Sequence, residues 1–396
     1  MSGKTDRKFD VIIAGAGPAG TSAAIRLASS GVGVLLAEQK KFPRPKLCGE
    51  FISPECDVHF KQLGVGNRVG ESGAVFLGET IFYSARGYSV AVPSNWFGAS
   101  ALGLSRARMD DILLQRAREV GVTVLEETQV VAPLFEGSRV CGARLKSGTE
   151  AAEYRAEIII DATGRARALA RRVRRVGKPD TRSRPTLLAF KAHLRNADVS
   201  KQTCEIYFYP GGYGGISSIE DDLSNLCFIA PAKDVRLCGS DPEKVIREVV
   251  WKNSRAAKTL ASARVESSWL GVSLEGFGRR DAVPAEGLLV AGDAAAFIDP
   301  FTGSGILMAL EAGKLVAETI LDHLPGLMVH DDFKSLENHY RVAYAGTFNT
   351  RLRVCALLRT AAFVPGLAGA AILFFSANER LRKRLAISTR PEHLLD

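Results

Sequence analysis

Three side chains in the sequence can transfer protons if the fold places them beside a reacting group. Cys48 and Glu50 occupy one irregular loop, residues 42–50, which contains two prolines and a glycine. Tyr213 lies in a glycine-rich turn, residues 209–216. Each also has an ordinary structural interpretation: a small packing residue for Cys48, a loop salt bridge for Glu50 and an aromatic sheet wall for Tyr213. These residue types indicate acid catalysis only where a cofactor or substrate site lies next to them.

A dinucleotide-binding pattern near the start of the chain predicts such a site. Residues 9–14 form an apolar β-type run, and the turn Gly15-Ala16-Gly17-Pro18-Ala19-Gly20 follows it directly. In a G-x-G-x-x-G turn the first glycine permits the bend and the second lets the backbone approach a pyrophosphate. The third allows close packing of helix on strand, and the helix N-terminus faces the phosphates. Glu38 ends the second strand 18 residues after Gly20, near the spacing of about 20 expected for a ribose-binding carboxylate.

Two later segments repeat the arrangement of a buried strand followed by a turn. Residues 158–160 end in Asp161-Ala162-Thr163-Gly164. Residues 287–291 end in Gly292-Asp293, and a glycine-containing turn at 299–305 then leads into a predicted long helix. The Asp293 carboxylate could bind a polyol hydroxyl, while the N–H groups at 303–305 face a second anionic or electron-rich group. Elsewhere the patterning predicts single helices over residues 51–63 and 245–258.

Composition describes an ordinary globular protein. The chain has 396 residues, of which 46% are hydrophobic and 24% charged, and two joined domains are expected at this length. The net charge of +9 is accompanied by no nucleic-acid-binding motif, so we expect no nucleic-acid partner. Seven cysteines without repeated spacing argue against a disulfide framework or a zinc site. A reducing cytoplasm fits this composition best, and no signal peptide is visible.

The C-terminal region contains an apolar stretch between basic flanks. Residues 361–375 are fifteen apolar residues interrupted by Pro-Gly, fewer than the roughly 20 needed to span a bilayer. Arg351, Arg353 and Arg359 precede the stretch. The basic residues that follow it are Arg380, Arg382, Lys383 and Arg384. An interfacial membrane anchor, a core helix pair and a lid over an apolar pocket all agree with this pattern.

Taken together, the three strand-end segments resemble the FAD-dependent aromatic hydroxylase superfamily over about residues 8–325. Residues 42–50 and 299–306 are most similar to its geranylgeranyl reductase branch. The resemblance implies an α/β fold in which a Rossmann-type FAD-binding domain is interleaved with a β-sheet substrate domain and followed by a helical tail. The expected boundaries are 1–70, 100–170 and 280–325 for the FAD-binding domain, 71–99 and 180–279 for the substrate domain, and 326–396 for a C-terminal cap or membrane-facing tail.

The resemblance also implies cofactor-binding roles. Glu38 would bind the adenosine ribose, Arg106 the FAD phosphate or adenosine region, and Asp293 the ribityl chain and pyrophosphate. The loop at Cys48 and Gly49 would run near the active face of the flavin. No metal site is expected. The full set of cofactor-binding residues that we predict is Gly15, Gly17, Pro18, Ala19, Gly20, Glu38, Gln39, Arg44, Cys48, Gly49, Arg106, Asp161, Gly164, Gly292, Asp293, Pro300, Gly303, Ser304, Gly305 and Ile306.

The activity implied by the resemblance is that of an FAD-dependent, NAD(P)H-driven oxidoreductase acting on a bulky hydrophobic, isoprenoid- or polyketide-like substrate. In a reductase, hydride passes from flavin N5 to a C=C bond, and Cys48, Glu50 or Tyr213 would act as the catalytic acid. The alternative is a monooxygenase that hydroxylates an aromatic or polyketide substrate through a flavin C4a-hydroperoxide. A third and more remote alternative is a non-catalytic nucleotide-binding protein.

Halogenation is not favoured, because the Trp-x-Trp-x-Ile-Pro signature of flavin halogenases is absent and the three tryptophans are isolated in the sequence. The expected partner is a small hydrophobic substrate, and the protein is expected to be a monomer or homodimer. We expect a cytoplasmic protein and leave peripheral membrane contact through residues 361–384 open.

Overall fold

The computed structural model describes residues 7–173, 186–330, 332–364 and 366–390. Parts of the expected domains, residues 1–6, 180–185 and 391–396, lie outside the described residues. The strands are β1 (Arg7–Ala14), β2 (Val34–Ala37), β3 (Phe51–Ile52), β4 (Val75–Leu77), β5 (Glu79–Tyr83), β6 (Ser89–Pro93), β7 (Ala101–Gly103), β8 (Thr123–Leu125), β9 (Thr128–Glu136), β10 (Arg139–Ser147), β11 (Glu150–Asp161), β12 (Leu187–Arg195), β13 (Thr203–Tyr209), β14 (Gly212–Ser218), β15 (Ser224–Pro231), β16 (Arg264–Val265), β17 (Leu270–Leu274), β18 (Gly278–Arg279), β19 (Leu288–Val290) and β20 (Ala296–Phe297).

The helices alternate with the strands in the first part of the chain and follow one another in the last part. They are α1 (Pro18–Ser29), α2 (Cys56–Gln62), α3 (Gly66–Glu71), α4 (Arg106–Glu119), α5 (Ala170–Val173), α6 (Ala232–Leu237), α7 (Pro242–Glu248), α8 (Ser254–Leu260), α9 (Gly305–His330), α10 (Phe333–Phe363), α11 (Leu367–Ala377) and α12 (Glu379–Ser388).

The first sheet carries the nucleotide-binding segments. Its strand order is β8-β2-β1-β11-β10-β9, and β19 pairs with β11. The pairs β1–β2, β1–β11, β2–β8 and β11–β19 are parallel. Val11 and Ile13 pack in one hydrophobic cluster, Ile12 and Ala14 in another, and all four are fully buried. Alternate residues of β1 therefore face two covered sides, which explains why this strand is apolar throughout.

The second sheet is built from two separated parts of the chain. Its order is β16-β12-β15-β14-β13-β5-β6, with β17 paired to β12. The short strand β5 joins β13 in parallel, with Thr203 opposite Glu79. The excursion at 71–99 and the segment beyond 186 thus share one sheet. Strand β4, by contrast, belongs to a small three-stranded sheet with β3 and β7.

Two helix predictions from the sequence are wrong in their extent. Phe51 and Ile52 form strand β3 against β7, and the helix begins only at Cys56, beyond Pro54. The stretch 245–258 is divided into α7 and α8 around Asn253. The Asn253 side chain caps α8 and also donates to the carbonyls of Tyr83 and Phe208. These tertiary hydrogen bonds outweigh the helical pattern of the local sequence.

The C-terminal part of the chain consists of consecutive helices. Helix α9 packs on α1 so closely that a Cβ at Gly313 would overlap the Ala19 carbonyl oxygen. Helix α10 is followed by α11 after a bend of 114°. Among the described residues, no single helix has the length and apolarity to cross a membrane, and only the bent pair α10–α11 meets both criteria jointly. The predicted α/β architecture with interleaved sheets and a helical tail is confirmed.

Candidate functional site

A cavity of about 900 Å³ lies where the two sheets and the C-terminal helices meet. One part of its wall comes from the glycine turn, Glu38 and Asp293. A second part comes from β13, β14 and β15, and a third from the segment after Leu357. We call this last segment, residues 358–364 and 366–390, the lid. The predicted nucleotide and substrate regions therefore share one continuous space.

The three glycines of the first turn meet different constraints. A Cβ at Gly15, where φ is 99°, would lie 2.6 Å from the Ala162 carbonyl oxygen. A Cβ at Gly20 would overlap the Gly15 carbonyl oxygen. At Gly17 a Cβ would meet no atom within 4 Å, and this residue lines the cavity. Gly15 and Gly20 thus permit close backbone packing, while Gly17 leaves the approach to the N-terminus of α1 clear for a phosphate.

The Glu38 carboxylate is fixed at the end of β2. It accepts hydrogen bonds from the backbone N–H groups of Ala16 (2.9 Å) and Lys40 (3.0 Å). An Arg44 guanidinium nitrogen lies 3.7 Å from it. This arrangement presents a carboxylate at the cavity wall, at the strand end where a ribose is bound in this type of fold.

A cluster of cationic side chains surrounds the carboxylate of Asp293. Burial raises the pKa of Asp293, and the charges of Lys46, Arg165 and Arg106 act in the opposite direction. Burial, followed by the positive charges of Arg106, Arg44 and Arg165, lowers the pKa of Lys46. Lys46, Arg44, Arg106 and Arg165 thus oppose the single carboxylate of Asp293, and this excess of cations complements a pyrophosphate.

Arg106 is held rigidly in this cluster. Its Nε and Nη2 donate to the two carboxylate oxygens of Asp110 at 2.8 and 2.7 Å, a bidentate geometry that fixes the guanidinium plane. The same guanidinium interacts with the sulfur of Cys48. These groups fit FAD. The Glu38 carboxylate suits the ribose, and the open helix N-terminus at Gly17 and the cationic side chains suit the pyrophosphate.

Most of the predicted cofactor-binding residues line the cavity, and three do not. Asp161 is fully buried, and its carboxylate accepts from Thr163, from Leu169 N and from Ala170 N. Asp161 therefore positions the turn instead of facing the cavity. Gly20 and Ser304 also lie behind the wall. The predicted residues that line the cavity are Gly15, Gly17, Pro18, Ala19, Glu38, Gln39, Arg44, Cys48, Gly49, Arg106, Gly164, Gly292, Asp293, Pro300, Gly303, Gly305 and Ile306.

Glu50 is fully buried beside the cavity and has an unusual backbone for a non-glycine residue, with φ of 53°. Its Oε1 accepts from Lys191 Nζ (2.6 Å) and from the Arg106 N–H (2.8 Å), and its Oε2 contacts His193 Nε2 (2.7 Å). Burial alone would raise the pKa of Glu50, but the hydrogen bond from His193 and the charge of Lys191 outweigh it and the pKa is lowered. The Glu50 side chain is thus an anion.

Cys48 is held by hydrogen bonds from the Glu50 backbone and from the side chain of Asn225. Its sulfur accepts a hydrogen bond from the Glu50 N–H at 3.4 Å. Its carbonyl oxygen accepts from Asn225 Nδ2 at 3.1 Å. The side chain is partly buried and lines the cavity. The strained residue Glu50 therefore directs a backbone donor at a thiol that faces the cavity.

Tyr213 lies in the apolar part of the cavity. Burial and then the Asp299 carboxylate raise the pKa of Tyr213 well above its usual value, and its hydroxyl donates to Asp299. Asp299 also accepts from Phe301 N–H at 3.0 Å and pairs with Arg359 of the lid at 3.0 Å. Tyr213 therefore retains its proton and connects the sheet to the lid.

Several residues of the site could not be identified from the sequence. Lys191 and His193 lie more than 140 positions from Glu50, and β12 shows only an apolar strand pattern. Arg390, the last described residue, donates to the Thr302 carbonyl (3.1 Å) and to Ser304. Its position 15 residues beyond the apolar stretch carries no local signal. Among the described residues, no group of three or more His, Cys, Asp or Glu side chains could hold a metal ion.

The chain is similar to several known proteins. The family model for the FAD binding domain matches residues 8–327. The digeranylgeranylglycerophospholipid reductase of Methanosarcina mazei is 32% identical over 321 residues, which cover 78% of this chain and 74% of that protein. A triple mutant of the flavin-dependent brominase Bmp2 has a TM-score of 0.80 at 20% identity, covering 96% of this chain and 95% of that one. A geranylgeranyl bacteriochlorophyll reductase-like protein from Thermoplasma acidophilum has a TM-score of 0.75 at 19% identity, with coverages of 98% and 95%. These two structures share the fold.

Proposed function

Because this chain belongs to the FAD binding domain family and is an FAD-dependent oxidoreductase, we propose that it reduces a C=C bond in a bulky isoprenoid substrate. The observation that carries the proposal is the position of Cys48, a proton donor in the wall shared by the cofactor region and the apolar region. The similarity to a digeranylgeranylglycerophospholipid reductase supports this substrate class.

Reduction of a C=C bond requires a hydride at one carbon and a proton at the other. When bound, reduced FAD supplies the hydride from N5. Cys48 is the proton donor in this proposal. Glu50 serves as an anion that holds Lys191 and His193 and directs its own N–H at the Cys48 sulfur. It is not the acid in this proposal, because a carboxylate with a lowered pKa is a poor acid. Tyr213 orients Asp299, since its raised pKa makes the phenol a weak acid.

The apolar part of the cavity fits a long hydrocarbon substrate. Phe208, Tyr213 and Phe301 form a contiguous aromatic wall with ring centroids 5.4–6.4 Å apart. Ile372 and Phe375 of the lid pack against the same cluster. Burying such a chain is favourable by about 25 cal/mol per Å² of apolar surface, and the bound hydrocarbon would displace water from the reacting atoms.

We propose NAD(P)H as the reductant of the flavin, with Arg165 and Arg172 of the cavity wall as contacts for its phosphates. We also propose that the outer face of the lid contacts a membrane. The expected substrate is lipid-like, so such a contact would supply it directly.

The central test is anaerobic turnover by the flavin-loaded enzyme and its Cys48→Ser variant. Reduced anaerobically and given geranylgeraniol, the wild-type enzyme should form a dihydro product, while Cys48→Ser should slow this step about 10²-fold or more, as expected for loss of a proton donor. Flavin bleaching by NADPH should be unchanged in the variant.

The matched control is Cys238→Ala, since Cys238 lies in the separate cluster on the other face of the substrate sheet. Equal turnover by wild type and Cys48→Ser would return Cys48 to a packing role. Product formation only in the presence of oxygen, with a hydroxyl group added, would replace the reductase by the monooxygenase alternative.

A further inference from the structure

Two buried polar atoms beside Cys48 have no hydrogen-bond partner among the described residues. They are the hydroxyl oxygen of Ser217 and the side-chain carbonyl oxygen of Asn225. Ser217 is 1% exposed and Asn225 is fully buried. An unpaired buried polar group is destabilising, because it has lost its hydrogen bonds to water without gaining others. The Ser217 hydroxyl lies in the wall of the cavity. An unpaired polar group in such a position indicates that a ligand group supplies the missing hydrogen bond.

The two residues are neighbours on one face of the sheet. Ser217 of β14 stands directly opposite Asn225 of β15, which places their Cβ atoms about 5 Å apart. Asn225 in turn stands opposite His193 of β12. A hydroxyl donor and an amide carbonyl acceptor thus lie side by side, and one ligand oxygen could bond to both.

The cavity face of the sheet changes from polar to apolar along the strands. Register pairs across the strands define three successive rows on this face. The first row is His193, Asn225, Ser217, Cys204 and Thr80; the second is Lys191, Cys227, Gly215, Ile206 and Phe82; the third is Ala189, Ile229, Tyr213 and Phe208. The unpaired atoms belong to the first, polar row, and Phe208 and Tyr213 of the aromatic wall belong to the third, apolar row.

We propose that Ser217 and Asn225 form a subsite for a hydroxyl group at one end of the isoprenoid substrate, because a hydroxyl can accept from Ser217 and donate to the Asn225 carbonyl oxygen. The remaining hydrocarbon lies along the sheet toward Tyr213 and the lid. This inference rests on the proposed function and deepens it, because it specifies an oxygenated isoprenoid and the direction in which it lies. The Asn225 amide also donates to the Cys48 carbonyl, so the subsite would fix the substrate relative to the proton donor.

The test is a binding measurement that requires no turnover. Farnesol and the matching hydrocarbon, in which hydrogen replaces the hydroxyl group, are titrated into the oxidised holoenzyme, and the absorbance change of the bound flavin is followed. Wild type should bind farnesol about tenfold more tightly, the equivalent of one hydrogen bond. Ser217→Ala should bind both probes with the affinity that wild type has for the hydrocarbon.

Ser218→Ala is the matched control, because the next residue of the strand points to the opposite face of the sheet. It should retain the preference of wild type, and flavin content reports that each variant is folded. Equal binding of both probes by wild type, or a preference that survives in Ser217→Ala, overturns the subsite while leaving the proposed function intact. Binding of neither probe overturns both the subsite and the isoprenoid substrate class.

Discussion

The buried anion Glu50 determines much of the chemistry at the residue scale. Lys191, His193 and the Arg106 backbone N–H meet one carboxylate that is removed from solvent. A buried ion pair contributes little over an apolar replacement, but removal of one partner leaves an uncompensated charge. The network is therefore better explained by the geometry it imposes on the Cys48 loop than by stability alone.

Neutralising Glu50 should destabilise the fold at neutral pH. We expect Glu50→Gln to lower the free energy of unfolding by about 3–5 kcal/mol, because Lys191 is left buried without its anion. The pKa of Glu50 is lowered in the folded state, so its stabilisation is present above the unfolded-state pKa of about 4.3 and is lost as pH falls through the folded-state value. The difference between wild type and variant should shrink in acid, as measured by urea unfolding at several pH values.

Glu119→Gln provides the control for this measurement, because Glu119 pairs with Arg68 at 2.6 Å on the surface and exposed pairs contribute little. A Glu50→Gln variant as stable as wild type at neutral pH would show that Lys191 does not depend on this carboxylate.

Among the structural elements, the sequence predicts those that are determined by the local pattern of residues. Glycines 15, 17 and 20, Glu38 and the strand ends at 164 and 293 were identifiable because each lies within one strand–turn–helix unit. Strand β3 and the division at Asn253 were missed, because cross-strand pairing and long-range caps decide them. Lys191 and His193 are not predictable for the same reason, because packing between distant parts of the chain brings them to Glu50. Asn225 reaches the Cys48 carbonyl in the same way, and strand register places Ser217 opposite Asn225.

The close contact between α1 and α9 at Gly313 can be tested by its effect on stability. Gly313→Ala should destabilise the protein by about 1–3 kcal/mol, the usual cost of overpacking, since the added Cβ would overlap the Ala19 carbonyl where α9 crosses α1. Gly346→Ala is the matched control: it lies in helix α10, where an added Cβ meets no atom within 4 Å, and alanine should stabilise by about 0.5–1 kcal/mol. Thermal unfolding of the two variants should therefore shift in opposite directions. Equal shifts would show that α1 and α9 separate easily enough to accept the methyl group.

At the scale of the whole molecule, the lid has two apolar faces. Ala368, Ala371 and Ile372 of α11 line the cavity, whereas Leu373 and Phe374 are each 52% exposed on the outside. The segment around the lid also presents further exposed apolar and basic side chains. These are Leu357, Val364, Leu367 and Leu381, and Arg353, Arg380, Lys383 and Arg384.

This outer face matches an anionic membrane surface. Helices that lie in a bilayer interface combine exposed apolar residues with Lys and Arg, and each basic residue near anionic lipid contributes about 1 kcal/mol. Helix α11 forms the wall between the cavity and the exterior. A contact of this kind would bring α11 into the membrane, in which an isoprenoid substrate dissolves. We infer that substrate enters beneath α11.

Vesicle binding tests this arrangement. The protein should sediment with vesicles of equal parts phosphatidylcholine and phosphatidylglycerol, and binding should weaken as salt screens the basic residues. The double variant Leu373→Ser, Phe374→Ser should lose binding by tenfold or more, because two exposed apolar side chains no longer enter the interface. Leu237→Ser, which removes an 86% exposed leucine from α6, should bind like wild type. If the double variant binds vesicles normally but dissociates a dimer in light scattering, the outer face of the lid is a subunit interface and substrate must enter by another route.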